Sequence, residues 1–201
     1  MPTKTFYNLP SHKREKLISA IHAELACTPV SALSINKIVH AAEIPRGSFY
    51  QYFENKDDML RYLLSDYRVL LFDHANESLR HNDGDLFQTL IDIFDFTYSF
   101  VMEDHLFFKN LFSDIRIDIG FYSRESDESI FQGFLEKITP YVNKSLLHIE
   151  NETDFTDICD ILLLVTGEVF ATTFFDTSRH DSMREKYITK LELLKHGFSK
   201  H

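Results

Sequence analysis

The sequence predicts an all-α protein in two parts: a small three-helix head at residues 1–55 and a larger helical bundle at residues 56–201. Three observations point there. Apolar residues recur at i, i+3 and i+4 in one segment after another, the spacing that puts them on one helical face. Only six Gly and five Pro occur in 201 residues, and several of them fall where those patterns break. Charge is divided unevenly: residues 1–56 hold seven Lys/Arg against four Asp/Glu, a balance of +3, whereas residues 57–201 hold fourteen against twenty-seven, a balance of −13. A mildly basic head on an acidic body suits a nucleic-acid-reading module attached to a separate sensing or assembly domain. With so little excess charge, specific contacts must supply much of the grip.

The elements follow in order. Ser11 is the expected cap of a helix reaching about Cys27, with Leu17, Ile18, Ile21 and Leu25 inward and Lys13, Arg14 and Lys16 on its first turns. Thr28-Pro29 ends it. Ser34 caps a second helix over residues 35–42, with Ile35, Ile38, Val39 and Ala42 inward. After the link Glu43-Ile44-Pro45 comes Arg46-Gly47-Ser48-Phe49-Tyr50-Gln51-Tyr52-Phe53. Pro45 has a fixed φ and no N–H to satisfy, so it suits a helix start, and it pushes Ile44 out of the α region. Phe49, Tyr52 and Phe53 share one face; Arg46, Gly47, Tyr50 and Gln51 share the other. Two short helices joined by a tight link and packed on a longer one form a helix-turn-helix, with the second as recognition helix. Asn55 caps a further helix expected from Lys56 to about His81.

Residues 11–60 resemble the N-terminal domain of the TetR/AcrR family of bacterial transcriptional regulators. The resemblance rests on Ser34-Ile35-Asn36-Lys37-Ile38-Val39, on Pro45 through Phe53, and on Asn55-Lys56-Asp57-Asp58-Met59-Leu60. Glu43 departs from it, since the family usually has Gly there; a positive φ at Glu43 costs on the order of 1 kcal/mol.

In the body, His81-Asn82-Asp83-Gly84 reads as a break. Residues 85–104 form a helix apolar almost all round and therefore central, followed by a shorter apolar segment at 105–115 and a polar connection at 116–128. A helix at 129–149, bent at Pro140, comes next. Residues 155–175 and 181–198 complete the bundle. These two carry more apolar surface than one partner needs. The resemblance implies that they pair with a two-fold mate, and Ile161, Val165, Val169, Phe170, Tyr187, Leu191 and Leu194 are the expected dimer contacts. A recognition helix that reads only a few base pairs also calls for a dimer on a palindromic site.

The expected partners are thus double-stranded operator DNA, a second copy of the chain and a small-molecule effector, with no membrane involved. Arg46 has the fork that matches guanine O6 and N7. Tyr50 and Gln51 reach a base edge or phosphate, and Gly47 permits close approach. Ser34, Asn36, Lys37, Ser48, Tyr52 and Lys56 are expected to hold the DNA backbone. For the effector, the resemblance implies a cavity in the bundle, and the candidate lining is Tyr67, Leu71, His74, Phe94, Tyr98, Phe108, Phe112, Phe134 and His148. A hydrophobic or aromatic ligand would suit such a lining. Alternatives are a haem held by His74 and His148, a cationic ligand met by Asp92, Asp95 and Glu168, and an acidic body that binds a protein instead.

Enzymatic motifs are absent: no phosphate-cradling Gly-rich loop, H-E-x-x-H or G-x-S-x-G occurs, and no metal-ligand spacing is present. No cofactor is expected apart from the haem alternative. Cys27 and Cys159 are expected to be buried, reduced thiols. The N-terminus lacks a secretory apolar core and no run spans a bilayer, so a cytoplasmic location is expected.

Overall fold

The computed structural model describes residues 2–113, 134–151 and 153–198, and all regular elements among them are helical. They divide into two compact units. The first holds the residues up to Tyr67 and those from Asp104 to Ser113; the second holds Arg68 to Glu103 and the residues from Phe134 onwards. The boundary expected at 55/56 therefore falls inside the first unit.

The first unit begins with a short helix that periodicity did not anticipate, α1 (Lys4–Tyr7), in which Phe6 is fully buried. α2 (Ser11–Cys27) buries Leu17, Ile21 and Leu25. Its N-cap is Pro10, with no side-chain cap bond; Ser11 stands inside the first turn, against the expectation that it caps. α3 (Ile35–Ala41) is capped as expected: the Ser34 hydroxyl accepts from the Lys37 N–H at 3.4 Å. α4 (Arg46–Tyr52) starts after Pro45, whose φ of −60° suits a helix entry. The turn before it holds Glu43 at φ 54°, the left-handed conformation that disfavours a side chain. Lys16 lies 2.6 Å from the Glu43 carboxylate and holds it below its ordinary pKa.

α5 (Lys56–Leu63) is capped by Asn55, which accepts from Asp58 N–H at 2.8 Å, while the buried Asp58 carboxylate accepts from Glu54 N–H at 3.2 Å. The continuous helix expected to His81 is interrupted at Leu64, and α6 (Ser65–His81) begins anew. The Ser65 hydroxyl donates to the Tyr62 carbonyl at 2.7 Å, diverting a group the helical ladder would use. α8 (His105–Ser113) packs on α2. There the Asn110 amide donates to the carbonyls of Leu25 and Ala26, at 2.8 and 3.1 Å, satisfying orphan acceptors at the end of α2.

In the second unit, α7 (Leu86–Glu103) packs against α10 (Asp154–Phe175) and α11 (His180–Phe198). Asp85 caps α7 through the N–H groups of Phe87 and Gln88. The end of α6 is closed by Gly84, at φ 81°, whose N–H donates to Leu79 O at 2.7 Å. The helix expected over 129–149 is not continuous: α9 covers Phe134–Ile138, and 3-10 turns at Thr139–Tyr141 and Lys144–Leu146 follow. Pro140 cannot join an α ladder, and a distant contact holds the chain out of it: Asn143 N–H donates to Gly84 O at 3.0 Å, and its amide to Asp83 O at 3.2 Å. The expected polar connection at 116–128 lies outside the described residues.

Candidate nucleic-acid interface

α4 is held by one face and open on the other. Phe49 and Phe53 are fully buried, with ring centroids 5.5 Å apart. Tyr52 is 8% exposed and its ring packs near Phe6. The Tyr52 ring thus packs inward with the core of this unit. Arg46, Gly47, Tyr50 and Gln51 are exposed, Tyr50 at 51%, and Ser48 is half-buried. Arg46 makes no ion pair among the described residues.

Gly47 is informative because nothing inside the chain requires it. Its φ is not positive, and a Cβ built there would meet nothing within 4 Å. Glycine in a helix costs roughly 0.5–1 kcal/mol relative to alanine. Neither its conformation nor its surroundings within the chain therefore account for a glycine at this position.

Around this helix, Asn36 is exposed on α3, and Ser34 is occupied as the α3 cap. Lys37 lies 3.6 Å from Glu24, whose carboxylate also accepts from Ser34 N–H, so part of its charge is used to join α2 to α3. Lys56 is the first residue of α5. A cation there opposes the helix dipole, at a typical cost of a few tenths of a kcal/mol. It makes no ion pair among the described residues, and its first turn also carries Asp57 and Asp58.

The effector candidates fare unevenly. Tyr67 and Phe108 lie in the first unit, 6.3 Å apart and buried. Leu71, His74, Phe94, Tyr98, Phe134 and His148 lie in the second. Leu71 is buried, and Phe94 is fully buried beside Phe170, His180 and Tyr187, so Phe94 is core. His74 is half-buried and stacks on Phe96 at 4.5 Å; Tyr98 stacks on His180 at 3.5 Å. Phe134 is half-buried, and the side chain of Phe112 lies outside the described residues. His148 does not face inward as expected: its side chain is 55% exposed and bonds Glu150 at 2.8 Å. The extended backbone around it, in place of a helix, removes the inward face. Nothing supports the haem alternative.

The cationic-ligand alternative also loses its basis. Asp92 accepts from Ser78, Asn82 and Gln88; Asp95 accepts twice from Arg184 at 2.6 Å; Glu168 is bonded by Lys190. A groove of about 250 Å³ in the second unit is lined by Phe87, Val142, Leu147 and Lys195 among others, and by none of the expected effector residues.

The expected dimer contacts divide as well. Val169, Phe170, Tyr187 and Leu191 are buried within the unit's own core, where Tyr187 shares a 2.7 Å hydrogen bond with Thr166. Ile161 is exposed, and Val165 and Leu194 are half-buried. Leu164 and Leu193, at 53% and 71% exposure, are further apolar residues left exposed on the same two helices. Cys27 is exposed and only Cys159 is buried.

A small head that offers one short helix by its polar face, followed by a helical domain, defines a helix-turn-helix transcriptional regulator. Comparison with known proteins agrees. Residues 17–63 match the model of bacterial regulatory proteins of the tetR family, and residues 85–198 match the tetracyclin repressor-like C-terminal domain. The chain belongs to the TetR family of DNA-binding transcription regulators. Regulators of this family are non-enzymatic, bind DNA operators and typically form homodimers. Among curated sequences, the uncharacterized HTH-type transcriptional regulator YvdT of Bacillus subtilis (strain 168) is 25% identical over 150 residues, which are 75% of this chain and 73% of that one. Solved structures with the same fold include a TetR family regulator from Chloroflexus aurantiacus J-10-FL, 21% identical over the whole of both chains with a TM-score of 0.50. The dihydroxyacetone kinase operon activator DhaS is 13% identical over 94% of this chain and 98% of its own, with a TM-score of 0.58. A regulator from Shewanella sp. PV-4 is 14% identical over 94% and 99%, with a TM-score of 0.57. Among the described residues, no single helix is long and apolar enough to cross a membrane.

Proposed function

We propose that this regulator is a cytoplasmic, dimeric repressor that reads a palindromic operator with α4 and leaves it when a hydrophobic or aromatic effector enters the C-terminal domain. The observation that carries the DNA part is the two-sidedness of α4: Phe49 and Phe53 fully buried, with Arg46, Gly47, Tyr50 and Gln51 exposed. In this reading Arg46 forks onto a guanine, Tyr50 and Gln51 meet base edges or phosphates, and Gly47 lets the sugar-phosphate backbone approach. Asn36, Ser48 and Lys56 hold phosphates, with Ser34 and Lys37 beside them. Dimerisation uses the outer apolar side of α10 and α11, where Ile161, Leu164 and Leu193 are exposed and Val165 and Leu194 half-buried. The effector meets the half-buried rings of the second unit, His74 with Phe96 and Tyr98 with His180.

Release would be a population shift. The effector favours an arrangement in which the two recognition helices no longer match successive major grooves, roughly 34–36 Å apart. A coupling of about 1–3 kcal/mol changes operator affinity roughly five- to 150-fold. The test begins with selection of bound fragments from the host genome, followed by a reporter under the selected site. Arg46→Ala should weaken the selected site by about 1–3 kcal/mol and relax the preferred base at one position of each half-site. Equal loss on selected and random duplexes makes Arg46 a phosphate contact. Reporter activation by the wild-type chain overturns the repressor assignment.

A further inference from the structure

α4 has seven residues, too few to hold a helical axis by its own hydrogen bonds. Its inner face rests on Phe49, Tyr52 and Phe53, but its last carbonyls have no partner within the helix. The chain from Thr3 to Tyr7 supplies one. Thr3 N–H donates to the Tyr52 carbonyl at 2.9 Å, and the Thr3 hydroxyl donates to the Gln51 carbonyl at 2.5 Å. The same hydroxyl oxygen accepts from Phe6 N–H at 3.4 Å as the N-cap of α1. One side chain thus joins the end of the recognition helix to the start of α1. One turn on, Phe6 is fully buried, with its ring 5.1 Å from Phe53, 4.8 Å from Tyr62 and 6.4 Å from Tyr52. Arg14 ties the far side of the turn to α2 by donating to Tyr7 O at 3.3 Å.

We infer that residues 3–7 are a clamp on the recognition helix, with Thr3 a positioning residue for sequence reading and Phe6 its anchor. Gln51 is where this matters: its carbonyl takes the Thr3 hydroxyl while its exposed side chain is among those assigned to DNA. Loosening the clamp lets the C-terminal turn of α4 swing, which blurs the placement of Tyr50 and Gln51. The charges that attract any duplex, such as Lys56, are on other elements and stay in place. Thr3 should therefore affect discrimination between sequences more than affinity for DNA in general. The inference rests on the assignment of α4 as the reading helix.

The experiment uses the full chain. The wild type selects its preferred duplex from a random-sequence pool. Wild type, Thr3→Val and Thr3→Ser are then titrated with that duplex and with a random duplex of equal length, and thermal unfolding is followed in parallel. Valine keeps the shape and removes the hydroxyl; serine restores it. The expected result is a roughly threefold to tenfold loss by Thr3→Val on the selected duplex, less than twofold on the random one, and recovery in Thr3→Ser. A fall in melting temperature with an unchanged ratio between the duplexes overturns the clamp and leaves Thr3 a stability residue. Unchanged binding in Thr3→Val also overturns it. If the wild type enriches no sequence, the reading-helix assignment fails first, and the clamp with it.

Discussion

Replacing Gly47 by alanine separates stability from function in a single methyl group. Gly47 is the second residue of α4, its φ lies outside the left-handed region, and a Cβ there would meet nothing within 4 Å. In the free protein alanine should thus fit without strain. It reduces the freedom of the unfolded chain and favours the helix by roughly 0.5–1 kcal/mol. For a chain of this size each kcal/mol moves the melting temperature by about 2–4 °C, so Gly47→Ala should melt about 1–4 °C higher. On DNA the same methyl occupies the space through which a phosphate or base edge approaches. Overlap of that kind costs roughly 1–3 kcal/mol, a loss of about five- to 150-fold in affinity. Circular-dichroism melting and fluorescence-anisotropy titration with the selected duplex measure the two effects on one sample. A variant that is less stable than wild type shows that Gly47 has an internal role after all. One that is more stable yet binds equally well removes Gly47 from the interface.

Three further outcomes are expected. Lys56→Ala should weaken selected and random duplexes alike and shallow the plot of log affinity against log salt by roughly one unit per binding head; an unchanged slope rules out a phosphate contact. Gly84→Ala should cost at least about 2 kcal/mol, because φ is 81° and the new Cβ would lie 2.5 Å from Asn143 N; chemical denaturation reads the loss, and a neutral result contradicts the close approach of the two segments. His22 stacks on Phe107 at 4.3 Å, and burial holds its pKa below the ordinary 6.5 despite Asp104 at 3.9 Å. The unfolded chain therefore binds this proton more readily, so the contribution of His22 is complete above about pH 6.5 and is lost as pH falls below it. His22→Gln should flatten that part of the stability profile, and an identical pH dependence in both proteins contradicts the assignment.

Much of the first unit was legible because its signals are local. Ser34 and Asn55 cap helices three residues ahead of the N–H they satisfy, Pro45 sets the entry to α4, and the spacing of Phe49, Tyr52 and Phe53 decides which side faces inward. Even the strain at Glu43 follows from one position in a short turn. Two local signals meet in one side chain at Tyr52, which has the spacing of a core residue and the chemistry of a phosphate contact; at 8% exposure its ring packs inward. Ser11 is a good capping residue that the chain does not use as one, because Pro10 takes the cap position.

What the sequence by itself determined is the helical class, the helices α2 to α4 of the first unit and the two-sidedness of α4, since each depends on residues within about one turn of one another. The tertiary structure alone decided the rest. Asn143 meeting Gly84 turns an expected helix into 3-10 turns, Thr3 meeting Gln51 ties the first residues to the end of α4, and Asn110 meeting Leu25 and Ala26 gives α8 to the first unit. It also sorted the two apolar stripes of α10 and α11, burying Val169, Tyr187 and Leu191 while leaving Leu164 and Leu193 exposed. The physical reason is common to all of these. Periodicity shows that a face is apolar, but burial and hydrogen-bond pairing across tens of residues depend on which segments meet, and that is settled only when the chain has folded.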